Sequence, residues 1–225
     1  MSRPLSIAHR GASGHELENS RAAFRRARTL GADGVELDVH ASRDGTLVVH
    51  HDEDVPGLGR IAELATAQLT AHKLANGETI PTLAEVLPLL RGLDVWVEVK
   101  AIEEYLDAVL LRNLATGPEP ERYAVHSFDH RVIRRLGERE PTLRRGVLLE
   151  ARLVDPLAVL YAANARVLWQ RHDRIDALLV ELLLREQMQL VAWTANAPAD
   201  LERLTALGVY GICTDHPERV LALKS

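Results

Sequence analysis

The sequence predicts an α/β fold, a (βα)8 barrel of the TIM type with a short β-hairpin extension after its second strand at the C-terminal rim. Three observations carry this. Eight short apolar runs alternate with helical patterns from one end of the chain to the other, as βα units around a parallel sheet require. The chain has 225 residues, 47% of them hydrophobic, enough to bury one sizeable core and a little below the ~250 residues usual for such a barrel. A ninth apolar run follows the second too closely to be a barrel strand and must fold back on it. One domain spanning residues 1 to 225 is expected, with a small insertion at 53 to 82.

The eight strand candidates are LSIAH (5 to 9), GVELDV (34 to 39), VWVEVK (95 to 100), YAVHSF (123 to 128), RRGVLL (144 to 149), RVLWQ (166 to 170), QLVAWT (189 to 194) and YGICTD (210 to 215). Between them, apolar residues recur with a period near 3.6, as in Ala23, Phe24, Ala27 and Leu30, or Leu83, Val86, Leu87 and Leu90. Helix starts are punctuated by Asn19-Ser20, by Asp155-Pro156, and by Pro198 and Pro217. The ninth run, TLVVHHD (46 to 52), lies six residues beyond GVELDV. A parallel crossover needs about a dozen, so the two runs must pair antiparallel. Asp44-Gly45 as a two-residue turn places Asp38 opposite His51, and a three-residue loop would shift the pairing by one.

The formal net charge of -5 gives no overall attraction for nucleic acid or an anionic membrane, so a phosphate site must build its positive charge locally. A single cysteine, Cys213, rules out an intramolecular disulfide and makes a reducing compartment the default. The N-terminus lacks a signal-like apolar core, and no run approaches the ~18 apolar residues of a membrane span. A cytoplasmic protein without stable membrane association is expected. Oligomeric state is left open.

Active sites of such barrels lie at the C-terminal ends of the strands. There the sequence places His9 and Arg10, Glu36 and Asp38, His51 and Asp52, Glu98 and Lys100, His126 and Ser127, Gln170, Trp193 with Asn196, and Thr214 with Asp215. Glu36 and Asp38 are two apart, as are Glu98 and Lys100, so each pair shares a face of its strand. Three carboxylates converging in a partly dry mouth repel one another unless a divalent cation or cationic side chains neutralise them. Two readings follow from spacing alone: a hard cation such as Mg²⁺ or Ca²⁺, or a salt-bridge layer completed by Lys100 and Arg10. His9 and His51 add two imidazoles, the side chain suited to acid and base roles in hydrolysis.

These residues fall in motifs, HRGASGHELENS, ELDVHASRDGTLVVHHD, IPTL, VEVK, HSF, WTAN and CTDHP, in order from about residue 6 to 217. In that ordered set the chain resembles the glycerophosphodiester phosphodiesterases. The resemblance implies a barrel enzyme that hydrolyses small-molecule glycerophosphodiesters to sn-glycerol 3-phosphate and an alcohol. It implies metal ligands at Glu36, Asp38 and Glu98 for one Mg²⁺ or Ca²⁺, with Mn²⁺ also admissible, and catalytic histidines at His9 and His51. Arg10 would contact phosphate, Glu18 and Asn19 would brace the site, Lys100 would add positive charge and Trp193 would line the substrate pocket. Leu17-Glu18-Asn19-Ser20 departs from the family's Pro-Glu-Asn-Thr.

His15, His40, His50, His72, His130 and His172 read as surface or structural residues, with His126 and His216 nearer the rim. Cys213 and Trp169 read as core. Two other functions share parts of the pattern. A lysophospholipase D-like enzyme would need an interfacial anchor, yet residues 53 to 82 contain no Phe, Trp or Tyr. A non-catalytic phosphometabolite-binding barrel would leave the acids and histidines without a purpose.

Overall fold

The computed structural model describes residues 3 to 100 and 102 to 223. In chain order the barrel opens with β1 (Leu5–His9), α1 (Arg21–Leu30) and β2 (Gly34–Ala41). The hairpin arm β3 (Leu47–Val49), a small ribbon of β4 (Asp54–Val55) and β5 (Gly59–Arg60), and helices α2 (Thr66–Ala71) and α3 (Leu83–Val86) follow. Next come β6 (Asp94–Val99), α4 (Asp107–Thr116), β7 (Tyr123–Ser127), α5 (His130–Arg139), β8 (Arg144–Leu149) and α6 (Pro156–Ala162). The chain ends with β9 (Val167–Arg171), α7 (Ala177–Arg185), β10 (Gln189–Trp193), α8 (Pro198–Leu207), β11 (Gly211–Thr214) and α9 (Pro217–Leu221). The parallel order β1-β11-β10-β9-β8-β7-β6-β2 closes when β1 pairs with β2. This is the expected eight-stranded barrel.

Alternation along each strand sorts the chain into two layers. Val35, Leu37, Val39, Val95, Val97 and Val99 belong to the outer core with Phe24, Leu110, Ile133 and Leu204 of the helices. Ile7, Trp96, Ala124, Leu148, Val167, Trp169, Val191 and Cys213 form a separate cluster that fills the barrel interior. Trp169 and Cys213 are therefore core residues, as expected. On the phase of Trp96, β6 next presents Glu98; on the phase opposite Leu37, β2 presents Glu36 and Asp38. Charge thus begins where the apolar plug ends.

Helix entries follow local chemistry. Ser20 Oγ accepts the Ala23 N–H at 3.1 Å, a cap worth ~1 kcal/mol, and Asp155 accepts from Ala158 in the same way. Gly31, at φ 82°, ends α1 in the left-handed conformation that glycine adopts without penalty.

β2 pairs with β6 along one edge and is long enough to serve two partners along the other. Gly34 to Glu36 pair with β1, while Val39 to Ala41 rise above that pairing and carry β3 antiparallel. The register pairs Val39 with Val49, and the His50 N–H donates to the Asp38 carbonyl at 3.2 Å. His50, not His51, is therefore opposite Asp38. The reason is the loop: Ser42 donates to Thr46 at 2.9 Å and Gly45 sits at φ 80°, so three residues turn the chain and shift the pairing by one. The insertion at 53 to 82 builds its own small core from Val55, Ile61, Leu69 and Ile80 against Val48 of the arm.

Candidate active site

The polar layer above the apolar plug is almost fully enclosed. Relative exposure is 2% for Glu36, 0% for Asp38, 8% for Glu98 and 1% for His126. Asp38 is the compensated member. Lys100 Nζ lies 2.9 Å from its Oδ1 and Arg10 Nε 3.3 Å from its Oδ2, while Asn19 Nδ2 donates to Oδ2 at 2.8 Å. Burial alone would raise its carboxyl, but the Lys100 and Arg10 charges hold it below the usual range.

Glu36 and Glu98 are less well served. Glu36 accepts the Arg10 backbone N–H at 3.0 Å, yet burial and the neighbouring Asp38 push its carboxyl up to about 7. Glu98 meets Lys100 Nζ at 2.6 Å and is still raised, through burial and the charges of Asp38 and Glu36. His126 completes the group. Its Nε2 lies 3.7 Å from Glu36 Oε1, neither ring nitrogen has a hydrogen-bond partner, and burial pushes the imidazole down to about 4, so it is neutral. Trp169 packs edge-on against the ring at 4.1 Å between centroids.

Donor atoms of Glu36, Glu98 and His126 all lie within 4.8 Å of one another. Two under-compensated carboxylates and an unpartnered neutral imidazole fit a divalent cation, because they supply both the negative charge and the lone pairs it needs. Of the two readings left open by spacing, the salt-bridge layer is formed, by Lys100 on Asp38 and Glu98 and by Arg10 on Asp38, and the grouping of Glu36, Glu98 and His126 is consistent with the other, a divalent cation.

The two candidate catalytic histidines are held alike. His9 Nδ1 bonds Asp215 Oδ1 at 2.7 Å, and His51 Nδ1 bonds Asp52 Oδ1 at 2.7 Å. In both, this leaves Nε2 as the nitrogen free for proton transfer. Burial opposes charge on His9, but the Asp215 hydrogen bond and the Glu36 charge more than offset it and raise its pKa. Asp215 is fixed in turn by Ser13 Oγ at 2.9 Å and Asn196 Nδ2 at 2.6 Å, and with His9 they hold it down to about 2 against the push of burial. On the arm, His40 Nε2 hydrogen-bonds the His51 carbonyl at 2.9 Å.

Arg10 and Asn19 both adopt positive φ, 54° and 55°, a costly region for residues other than glycine. The Asn19 N–H donates to the Arg10 carbonyl at 2.9 Å, and Arg10 Nη1 donates to Glu18 Oε2 at 2.8 Å. The strained loop thus holds a guanidinium beside Asp38. Trp193 stands at the end of β10 with its ring edge-on to Phe128 at 5.5 Å. A pocket of about 570 Å³ opens beside Lys100, with His40, Arg43, Arg60, Tyr105, Phe128 and Asp129 among its walls.

Of the residues singled out from the sequence, the structure gathers His9, Arg10, Glu18, Asn19, Glu36, Asp38, Glu98 and Lys100 into one connected network. His51 sits on the arm, bonded to Asp52, and Trp193 packs on Phe128, itself a wall of the pocket beside Lys100, and does not line that pocket directly. Sequence reasoning gave no role to His126, Asp215, Asn196 or His40. For His126 the signal was parity, since it lies beside Glu98 in the β6–β7 register. For Asp215 it was the position of CTDHP directly after the last strand.

This is the rim of a (βα)8 barrel that carries an acid-rich cluster consistent with a divalent cation. Residues 9 to 219 match the model of the glycerophosphoryl diester phosphodiesterase family. A glycerophosphodiester phosphodiesterase of Caldanaerobacter subterraneus subsp. tengcongensis is 36% identical over 236 residues, covering 97% of each chain. One from Bacillus subtilis is 28% identical, covering 96% of this chain and 85% of its own. Among solved structures, an Oleispira antarctica phosphodiesterase in complex with the product sn-glycerol-3-phosphate superposes with a TM-score of 0.92 at 25% identity, over 98% of this chain and 96% of that one. The chain belongs to the glycerophosphoryl diester phosphodiesterase family. It is an enzyme of the phosphoric diester hydrolase class.

Proposed function

We propose that this enzyme hydrolyses small glycerophosphodiesters to sn-glycerol 3-phosphate and an alcohol, with His9 and His51 dividing the acid and base roles. The observation that carries the reading is the paired holding of the two histidines, each with Nδ1 on an aspartate, His9 beside Arg10 and the buried acids and His51 on the hairpin arm. The product bound to the Oleispira relative supports the choice of substrate class.

Arg10 and Lys100 bind the phosphoryl oxygens and share the charge that develops on them in the transition state. Asn19, Glu18 and Asp38 keep those cations in place. Glu36, Asp38, Glu98 and His126 are the residues that would hold a divalent cation. Mg²⁺ or Ca²⁺ suits the carboxylates, and the imidazole also admits Mn²⁺. When bound, the cation adds Lewis-acid stabilisation of the phosphoryl charge. His9, fixed by Asp215, and His51, fixed by Asp52, transfer protons through Nε2 to and from the oxygens that enter and leave phosphorus. The pocket beside Lys100, walled by Tyr105 and by Phe128, against which Trp193 packs, receives the alcohol. No described helix is long and apolar enough to cross a membrane. We place the enzyme in the cytoplasm on the buried free thiol of Cys213 and the reducing compartment it suits.

The test is a panel of glycerophosphodiesters assayed with Mg²⁺, Ca²⁺ or Mn²⁺ and coupled detection of glycerol 3-phosphate. Turnover abolished by chelator, and by His9→Ala or His51→Ala, is expected. Full turnover in both variants would overturn the acid and base assignment.

A further inference from the structure

A second cluster of metal-binding side chains lies on the same rim, outside the network described above. His15, in the loop after β1, meets His216 and Glu218, where the chain leaves β11 and enters α9. His15 Nε2 is 3.1 Å and His216 Nδ1 3.6 Å from the same oxygen, Glu218 Oε1. The three donor atoms lie within 4.8 Å of one another, and the two rings stand edge to face, 5.4 Å apart at 82°. A hydrogen-bonded pair of His15 and Glu218 does not account for the whole arrangement. His216 Nδ1 and Glu218 Oε2 are both buried and have no hydrogen-bond partner, so two lone-pair donors remain unanswered beside the pair.

The backbone holds the cluster in place without a ligand. The Gly14 N–H donates to the Asp215 carbonyl at 2.9 Å, and the His15 and Glu16 N–H groups both donate to Ala12. Gly14 lies so close to the His216 ring that a Cβ there would come within 2.3 Å of it. A side chain at residue 14 would push the ring out of register with Glu218.

We propose that His15, His216 and Glu218 form a transition-metal site of the zinc class, separate from the buried acids of the barrel. Two imidazole nitrogens and one carboxylate oxygen are a donor set that zinc prefers, with a fourth tetrahedral position left to water. The barrel group is richer in carboxylate and suits harder cations. The bound ion staples the loop after β1 to the start of α9. Those two segments also flank Asp215, and so the ion stiffens the support of His9.

The experiment is crystallographic and does not rely on activity. Crystals of the full chain are soaked in Zn²⁺ alone, and data are collected above and below the zinc absorption edge. An anomalous peak between the three side chains is expected, absent from crystals of His15→Ala and Glu218→Gln. In solution, calorimetric titration with Zn²⁺ is expected to show one more equivalent bound by the unaltered protein than by either variant. A peak confined to the barrel acids, or equal zinc content in the unaltered protein and both variants, would overturn the proposal. The unaltered crystal gives its answer whether or not either variant folds.

Discussion

Asp215→Asn probes the proposed chemistry most directly, because it alters one atom in a network whose geometry is complete. The carboxylate accepts from His9 and Ser13 on one oxygen and from Asn196 on the other. An amide at this position turns one acceptor into a donor, so either the His9 side or the Asn196 side loses its bond. Loss of an adjacent opposite charge lowers an imidazole pKa by ~1 to 3 units. An orienting aspartate that fixes a catalytic histidine is worth up to ~10⁴ in rate. Asp215 is partly solvated, so a fall in kcat/KM of about 10² to 10³ is expected. The limb of the pH profile that reports His9 should move to lower pH whether the residue serves as acid or base, because its pKa falls in either role. Stability should change with a defined sign. Asp215 titrates at about 2 when folded, below its ordinary value, so its contribution is present above that ordinary value and is lost as pH falls through about 2. His9 is raised, so its contribution is present below the ordinary imidazole value and is lost as pH rises through the raised one. The pair therefore stabilises most in mildly acid solution, by about 2 kcal/mol at most. Steady-state rates across pH, with thermal melts alongside, test both parts. A variant with near-normal kcat/KM and an unmoved pH profile would refute the role given to Asp215.

Three further outcomes are expected. Because Glu36 sits at about 7 without a cation, divalent binding at the barrel acids should release protons near neutrality and tighten as pH rises from about 6 to 8; calorimetry in buffers of different ionisation enthalpy measures the release, and a proton-neutral titration contradicts it. Asp107, buried, takes a two-pronged bond from Arg135 at 2.6 and 2.8 Å and lies 3.2 Å from Arg139, so Asp107→Ala should lower unfolding free energy in urea by about 2 kcal/mol, less than a fully buried pair because both arginines can regain water. Gly11 has φ 80° and a Cβ there would fall 2.7 Å from Ala23 Cβ, so Gly11→Ala should cost about 2 kcal/mol or more in the same assay, and an unchanged midpoint would mean that the loop after β1 can move away from α1.

The barrel was legible because its signals are local and repeated. Each strand states its own phase, as when Val35, Leu37 and Val39 alternate with Glu36 and Asp38, and each connection is long enough for a crossover except the one at residues 40 to 45. The turn of that hairpin was less legible. Asp44-Gly45 is compatible with two loop lengths, and the choice was made by the Ser42 to Thr46 bond, which depends on where β2 stops pairing. A shift of one residue was enough to put His50 opposite Asp38 in place of His51.

The acids and the first histidine of the site could be read for the same reason as the strands, since their faces follow from their own spacing. What could not be read was the support. Asp215 acts on His9 across more than two hundred residues of sequence, and the contact exists only because β1 and β11 close the ring. His126 could be placed near the rim from its strand but given no role; its two unanswered nitrogens become meaningful only beside Glu36 and Glu98. His40 shares the inward phase of Asp38, yet what it holds is the backbone of His51. The position of His51 therefore depends on a side chain eleven residues earlier as well as on the hairpin turn, and cutting that tether should loosen the arm while leaving the barrel acids in place.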